Sequence, residues 1–128
     1  MIHTAEEFRI LCENDDDTTF AHQTASSEVW IEILSKHPHL ARCVAANKTI
    51  PDEIIDYPSK SDDIDIRWKI ATKRKLNKTI FERLAKDIDA TIRHRIACNP
   101  KTPGDILLPL SRDSDTMVAS AANRKLGS

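Results

Sequence analysis

The sequence predicts an all-α protein built from short helices that stack as repeats. Similar segments end on alanines at Ala25, Ala45, Ala71, Ala97 and Ala121, with successive spacings of 20, 26, 26 and 24. Such a period is typical of stacked repeats rather than of a conventional closed domain. The 128 residues include only 2 glycines, which argues against turn-rich β architectures and glycine loops that bind phosphate. We therefore expect one short, right-handed α-solenoid domain over residues 1–128.

Residues 1–16 are predicted to cap the first repeat. Thr4 and Glu7 have the spacing of a capping box at the start of a helix. Apolar side chains follow on one side of that helix, at Ala5, Phe8 and Leu11. The acidic run over residues 13–17 lacks the ligand spacing of a calcium loop, so we expect a solvated, helix-capping loop there.

Residues 84–103 form the clearest copy of the repeat, and degenerate copies fill residues 17–126. An Asp or a His-Pro pair precedes the first helix of a copy, where an Asp side chain can accept from unpaired backbone N–H groups. Ile92 and Ile96 then place an apolar stripe on one helix face, and the small Ala97 allows a neighbouring helix to approach closely.

The second helix of this copy is bounded by prolines. Asn99-Pro100 is expected to end the first helix, because a residue before proline is disfavoured in the α region. Thr102 is expected to cap the second helix, with Pro103 at its first position. The apolar side chains predicted to be buried on that helix are Ile106, Leu107 and Leu110.

The unit from Leu84 to Pro103 resembles the leucine-rich repeat variant, a relative of HEAT repeats built from alternating short helices. The resemblance covers roughly residues 17–126 and implies about four to five HEAT-like units. It also implies a structural polar ladder, which maps onto Arg67 and Arg93 with Asp63 and Asp87.

The three cysteines, Cys12, Cys43 and Cys98, are too widely spaced for CxxC metal chemistry or a disulfide framework. We expect reduced, mostly buried thiols in a cytoplasmic protein. The N-terminus lacks the features of a signal peptide, and no apolar run has the roughly 18–20 residues of a membrane span. One founding member of the resembled family has an N-terminal cysteine cluster for iron and sulfur, but only Cys12 lies in that region here.

The sequence predicts no enzyme activity, catalytic residue, metal site or cofactor. It contains no GxSxG, HExxH, GxxxxGK[ST] or GxGxxG motif. His37 and His39 flank a proline and lack further convergent ligands for a metal. His94 lies between two arginines, but no second acid–base partner is evident.

The charges are distributed unequally, although the net charge is −1. Residues 1–65 hold 14 acidic and 5 basic residues, a balance of −9. Residues 66–128 hold 6 acidic and 14 basic residues, a balance of +8. Because sequence order is spatial order in a solenoid, we expect a field from a negative end to a positive end, which would orient a partner.

The favoured hypothesis is a protein-binding module. A cytosolic repeat array of this size resembles small bacterial immunity proteins, including those of contact-dependent growth inhibition, that neutralise a delivered toxin, often a basic nuclease. The residues expected to bind such a toxin domain are Asp52, Glu53, Asp56, Tyr57, Asp62, Asp63, Asp65 and Trp68, with Tyr57 or Trp68 as an aromatic anchor.

The alternative is a nucleic-acid-binding protein that uses its basic C-terminal half. Six basic residues that lie close together in the sequence could contact phosphates, at Arg67, Lys69, Lys73, Arg74, Lys75 and Lys78. The acidic half and the few aromatic residues argue against it. A third possibility is a head-to-tail homo-oligomer that joins oppositely charged ends. No membrane partner is expected.

Overall fold

The computed structural model describes residues 1–14 and 19–127, and in this part of the chain the only extended pairing is one isolated β-bridge. The predicted all-α class is therefore confirmed for these residues. The helices are α1 (Ala5–Glu13), α2 (Ser27–Lys36), α3 (Ala41–Ala46), α4 (Asp52–Ile55), α5 (Ile64–Ala71), α6 (Lys78–Ala85), α7 (Ala90–Cys98), α8 (Gly104–Leu110) and α9 (Thr116–Leu126), with short 3-10 turns at Thr19–His22, Pro38–Leu40 and Pro58–Lys60. Asp15, Asp16 and Asp17 of the acidic run lie outside the described residues.

The chain divides into two compact units, Met1–Lys60 and Ser61–Ser128. We call them the first unit and the second unit. The first unit contains α1 to α4, and the second unit contains α5 to α9.

The core of the first unit forms around aromatic residues that join α1 to α2. Phe8 is fully buried, with its ring centroid 5.3 Å from that of Trp30 and 6.3 Å from that of Phe20. The capping box is confirmed in part: the Oγ1 of Thr4 accepts from the N–H of Glu7 at 3.2 Å. The Glu7 carboxylate accepts from the N–H of His3, one residue earlier than in the standard box. The helix α1 is thus fixed at its start and packed along one side.

The expectation of three reduced thiols is wrong for two of the cysteines. Cys12 and Cys43 form a disulfide between α1 and α3, with their Cα atoms 6.3 Å apart. Cys98 is free and half-buried. The sequence separation of 31 conceals this pairing, because the last turn of α1 lies beside α3 only after the chain has folded.

The second unit consists of helices in two layers. In the first layer α5 packs on α7 and α7 packs on α9, while in the second layer α6 packs on α8. Each helix also packs on the next helix along the chain. The predicted apolar stripe is confirmed, because Ile92, Ile96 and Ala97 are fully buried. The apolar residues of α8 are buried as well, at Ile106, Leu107 and Leu110.

Aspartate side chains cap the helices of the first layer, as the sequence predicts. Asp63, Asp89 and Asp115 each accept from backbone N–H groups in the first turn of α5, α7 and α9. The spacing from the first cap to the second equals that from the second to the third, which defines the register of the repeat. In this register Ala121, the last of the five alanines that mark the repeats in the sequence, lies two positions too early. Asn123 falls at the position of Ala97, and Ala121 falls at that of Arg95.

The predicted cap of α8 is wrong. The helix begins at Gly104, and its N-cap is Pro103, whose ψ of 150° is extended. Thr102 instead donates its hydroxyl proton to the carbonyl of Ile96 at 2.6 Å, within the last turn of α7. The threonine therefore closes the preceding helix, because the carbonyl of Ile96 accepts both from its buried hydroxyl and from the N–H of Asn99. The predicted end of α7 is confirmed, with Asn99 as C-cap.

Candidate functional site

Four of the predicted partner-binding residues lie on or next to α4, in the first unit. Ile54 and Ile55 point into the core at 3% exposure each, so the opposite side of this short helix is exposed. Its exposed or half-buried polar residues are Asp52, Glu53, Asp56 and Tyr57. The ring of Tyr57 is 68% exposed, which is high for a large aromatic residue. We call these four residues the α4 patch.

Two carboxylates of the α4 patch have local partners. Glu53 accepts a hydrogen bond from the hydroxyl of Ser27, at the start of α2. Asp56 forms an ion pair with Lys60 at 3.2 Å, one helical turn further on. The patch is thus an exposed, acidic surface next to an aromatic ring, with some side chains already oriented.

The other four predicted partner-binding residues lie in the second unit. Asp62 and Asp65 are exposed, and Trp68 is 37% exposed on α5. Asp63 is half-buried, and its Oδ1 accepts from the N–H of Asp65 at 2.9 Å as the N-cap of α5. The predicted acidic set is therefore divided between the two units, and Asp63 has a structural role.

A polar ladder runs along the second unit. The guanidinium of Arg67 donates to both carboxylate oxygens of Asp87, at 2.8 and 3.2 Å, and to the carbonyl of Ser61 at 2.8 Å. Arg93 repeats this pattern with Asp113, at 2.9 and 3.2 Å, and with the carbonyl of Asp87 at 2.7 Å. Each arginine thus joins the loop before its own helix to the loop before the next helix of the layer.

The ladder agrees only partly with the one that the family resemblance implies. Arg67, Arg93 and Asp87 are members, but Asp63 is an N-cap, and Ser61 supplies the first rung through its carbonyl. The close pairing of Arg93 with Asp113 changes the acidity of both side chains. A hydrogen bond from Arg93 lowers the pKa of the Asp113 carboxyl below its usual value, and the same bond raises the pKa of Arg93.

Two of the six residues proposed for nucleic-acid binding form ion pairs inside the second unit. Arg67 is held in the ladder, and Lys78 pairs with Asp105 at 2.6 Å. Their hydrogen bond raises the pKa of Lys78 and lowers that of Asp105. The other four follow one another at the end of α5 and in the loop after it, at Lys69, Lys73, Arg74 and Lys75.

A buried asparagine joins the C-terminal ends of the first layer. Asn99 is fully buried, and its Nδ2 donates to the carbonyl of Ala71 at 3.3 Å and to that of Lys73 at 2.7 Å. The ammonium of Lys125 in turn donates to the carbonyl of Asn99. The C-terminal ends of α5, α7 and α9 therefore lie side by side. In the first unit Asn47 is buried in the same way and donates to the carbonyls of Phe20 and Gln23.

Basic residues that the sequence pattern did not single out lie at these adjoining helix ends. Arg95 occupies the position of Lys69 one repeat later, and Lys125 occupies that of Asn99. We call Lys69, Arg95 and Lys125 the cation row. Among the described residues none of the three is in an ion pair. The register of the aspartate caps could have identified Arg95, because it places residue 95 beside residue 69.

The cation row is partly desolvated. Burial lowers the pKa of Lys125, and the positive charge of Arg95 lowers it further, against an opposite effect from Cys98. The Nε of Arg95 is buried with no hydrogen-bond partner among the described residues. Cys98 lies one helical turn after His94, with its Sγ 3.7 Å from the Nε2 of that ring.

A groove of about 240 Å³ lies between α6 and α8. Its charged lining residues are Glu82, Lys86, Asp105 and Asp113, two of which are already engaged by Lys78 and Arg93. In the part of the chain that the structure describes, no three His, Cys, Asp or Glu side chains converge as metal ligands. The described helices also include none with the length and apolar character needed to cross a membrane.

Comparison of this chain with protein-family models, with curated proteins and with solved structures finds no match.

Proposed function

We propose that this chain is a non-catalytic protein-binding module, an immunity protein that binds and neutralises a cognate nuclease-type toxin domain. The observation that carries the proposal is the α4 patch, where exposed carboxylates lie beside a tyrosine ring that is 68% exposed. Exposed aromatic rings next to charged groups are common anchors in protein interfaces, because a ring buries a large apolar area at a low cost in side-chain entropy.

Repetition within the second unit supports a helical-repeat scaffold for this function. The aspartate caps and the arginine ladder recur at the same interval along the chain, and helices one repeat apart pack on each other. Stacked repeats of this type are extended and present long surfaces to a partner. We infer a short, right-handed α-solenoid of four to five units that resemble the leucine-rich repeat variant.

The charge of the first unit supports a basic partner. Residues 1–60 hold 11 acidic and 5 basic residues, a balance of −6. A nuclease must bind phosphates, so its active surface is basic, and an acidic inhibitor surface is complementary to it. In this proposal Asp52 and Glu53 pair with basic toxin residues while Tyr57 packs at the centre of the interface.

The test first determines whether the reading frame adjacent to this one encodes a nuclease-type toxin domain, and then measures binding of the chain to that domain. Calorimetry compares the wild type with the double variant Asp52→Lys and Glu53→Lys, and with Tyr57→Ala. We expect the double variant and the tyrosine variant each to weaken the affinity at least about tenfold, as loss of an interface hot spot does. The same variants should fail to protect cells that express the toxin.

The matched control is the double variant Glu32→Lys and Glu82→Lys, which changes the net charge by the same amount outside the α4 patch. Its affinity should stay within about threefold of the wild type, since distant surface charges contribute little to affinity. Equal losses in both double variants would overturn the assignment of the patch. If the toxin domain does not bind to the wild type, the immunity function is wrong.

A further inference from the structure

We propose that the second unit carries a separate binding site for single-stranded nucleic acid, formed by the cation row together with Trp68 and His94. It lies on the outer face of the layer α5, α7 and α9, toward the C-terminal ends of these helices. This inference is independent of the protein-binding function, because it uses no residue of the α4 patch.

The members of the cation row lie along a line across three helices. Hydrogen bonds through Asn99 and from Lys125 hold the C-terminal ends of the three helices together. Packed helices lie roughly 8–10 Å apart, so the row extends over about 20 Å across three helices. Three cations along such a line match the repeated charges of a phosphate chain better than a single compact anion.

The cation row differs from other cations of the same unit in its lack of carboxylate partners among the described residues. Arg67, Arg93 and Lys78 each have a carboxylate partner. The three members of the cation row have none among the described residues. Neighbouring like charges that are partly desolvated destabilise one another, and an anion that bridges them removes this repulsion.

Arg95 is the member that most clearly lacks a partner. Its Nε is buried, and no described acceptor lies within hydrogen-bond distance. A buried guanidinium N–H without an acceptor costs free energy, so the fold itself does not neutralise or fully satisfy this charged group. Arg95 is also close to Lys125, since its positive charge adds to burial in lowering the pKa of that ammonium.

Two rings beside the cation row favour a single strand over a duplex. Trp68 is 37% exposed on α5, and His94, half-buried, occupies the equivalent position on α7, one repeat later. Each ring precedes a member of the cation row directly in sequence, Trp68 before Lys69 and His94 before Arg95. Rings beside a line of cations are the arrangement with which proteins bind unpaired bases and their phosphates. Stacked base pairs in a duplex do not offer their faces to such rings.

The aspartate caps of this layer lie away from the cation row. The caps Asp63, Asp89 and Asp115 lie at the N-terminal ends of α5, α7 and α9. The cation row lies toward the opposite ends. On α7 and α9 a polyanion at the C-terminal ends is therefore separated from the carboxylates by most of a helix length, whereas on α5 the exposed Asp65 lies one helical turn before Lys69 and weakens the positive field there.

The experiment titrates the full-length protein into a fluorescein-labelled dT20 oligonucleotide and follows its anisotropy at several salt concentrations. We expect binding that weakens with salt, with a logarithmic slope of about −2, because each neutralised phosphate of a single strand contributes about −0.7. Trp68 fluorescence should be quenched on binding, and Trp68→Leu should weaken the affinity at least about fivefold.

The double variant Lys69→Glu and Arg95→Glu should lower the affinity at least about tenfold, since it reverses two contacts in the row. The matched control is Lys86→Glu and Arg112→Glu, with the same change in net charge away from the row, and its affinity should change by less than about threefold. Thermal unfolding by circular dichroism verifies that each variant is folded.

Three results would overturn the proposal. The first is no binding of dT20 by the wild type at low salt. The second is an equal loss in the two double variants, which would indicate attraction by net charge alone. The third is equal or tighter binding of a duplex of the same length or of polyglutamate, which would assign the row to a duplex or to an acidic protein.

Discussion

Arg93 donates to both carboxylate oxygens of Asp113, which lies before the next helix of the same layer, and its side chain is only 17% exposed. Because the same guanidinium also donates to the carbonyl of Asp87, one side chain fixes two successive loops of the second unit. The same geometry one repeat earlier, from Arg67 to Asp87, makes these contacts a continuous structural element.

Truncation of Arg93 should destabilise the second unit. Arg93→Ala removes three charge-assisted hydrogen bonds and leaves the mostly buried carboxylate of Asp113 without its guanidinium partner. We expect the free energy of unfolding to fall by about 2–3 kcal/mol. Urea unfolding followed by circular dichroism measures it. Arg112→Ala, at an exposed position, is the control and should change stability by less than about 0.5 kcal/mol.

Asp113 should also make stability depend on pH in the acid range. Its pKa is lower in the folded protein than in the unfolded chain, where it is about 3.9. The group therefore stabilises the fold fully above that unfolded value, and this contribution is lost as pH falls through the lower, folded pKa. Urea unfolding between pH 6 and pH 2.5 should show less loss of stability in Asp113→Asn than in the wild type. Parallel profiles for the two proteins would contradict this prediction.

The buried amide of Asn99 should be as important as the ladder. Asn99→Ala leaves the carbonyl of Lys73 and the N–H of Lys101 without the partners that this side chain provides. We expect a loss of about 2–4 kcal/mol, from unsatisfied polar groups and the small cavity. Asn123→Ala, at an exposed position, serves as the comparison in the same denaturation assay. A similarly small effect of both substitutions would show that the amide does not join the helix ends.

The disulfide between Cys12 and Cys43 should stabilise the first unit. The cross-link joins cysteines with a sequence separation of 31, for which chain entropy predicts a contribution of about 3–4 kcal/mol. Under denaturing conditions one thiol, that of Cys98, should titrate in the oxidised protein and three after reduction. Reduction should lower the urea midpoint of the wild type and of Cys98→Ser equally, but not that of Cys12→Ser. Three titratable thiols in the oxidised protein would contradict the pairing.

Local patterns predicted the elements of this fold well. Ile92 and Ile96 revealed a buried stripe because their spacing matches the helical period, and the aspartate caps could be found because they act on the next few residues. The prediction was wrong for Thr102, whose hydroxyl could either cap the next helix or donate to the carbonyl of Ile96, and which makes only the second of these bonds. Sequence spacing alone does not decide between two local partners of similar energy.

The candidate sites were predicted less completely. The basic cluster in the sequence included Arg67 and Lys78, but carboxylates distant in sequence engage both of them. Arg95 and Lys125 were overlooked because they are far apart in the sequence and become neighbours only when α7 packs on α9.

The sequence by itself determined that this protein is helical, where α1 begins and α7 ends, and which side of α7 and of α8 is apolar. These features depend on contacts within about one helical turn, which a linear pattern records. The tertiary structure alone decided that Arg93 pairs with Asp113, that Cys12 pairs with Cys43, and which cations are left without a carboxylate among the described residues. These pairings join residues that are distant in the sequence. They depend on which side chains become neighbours, away from bulk water, when the helices pack.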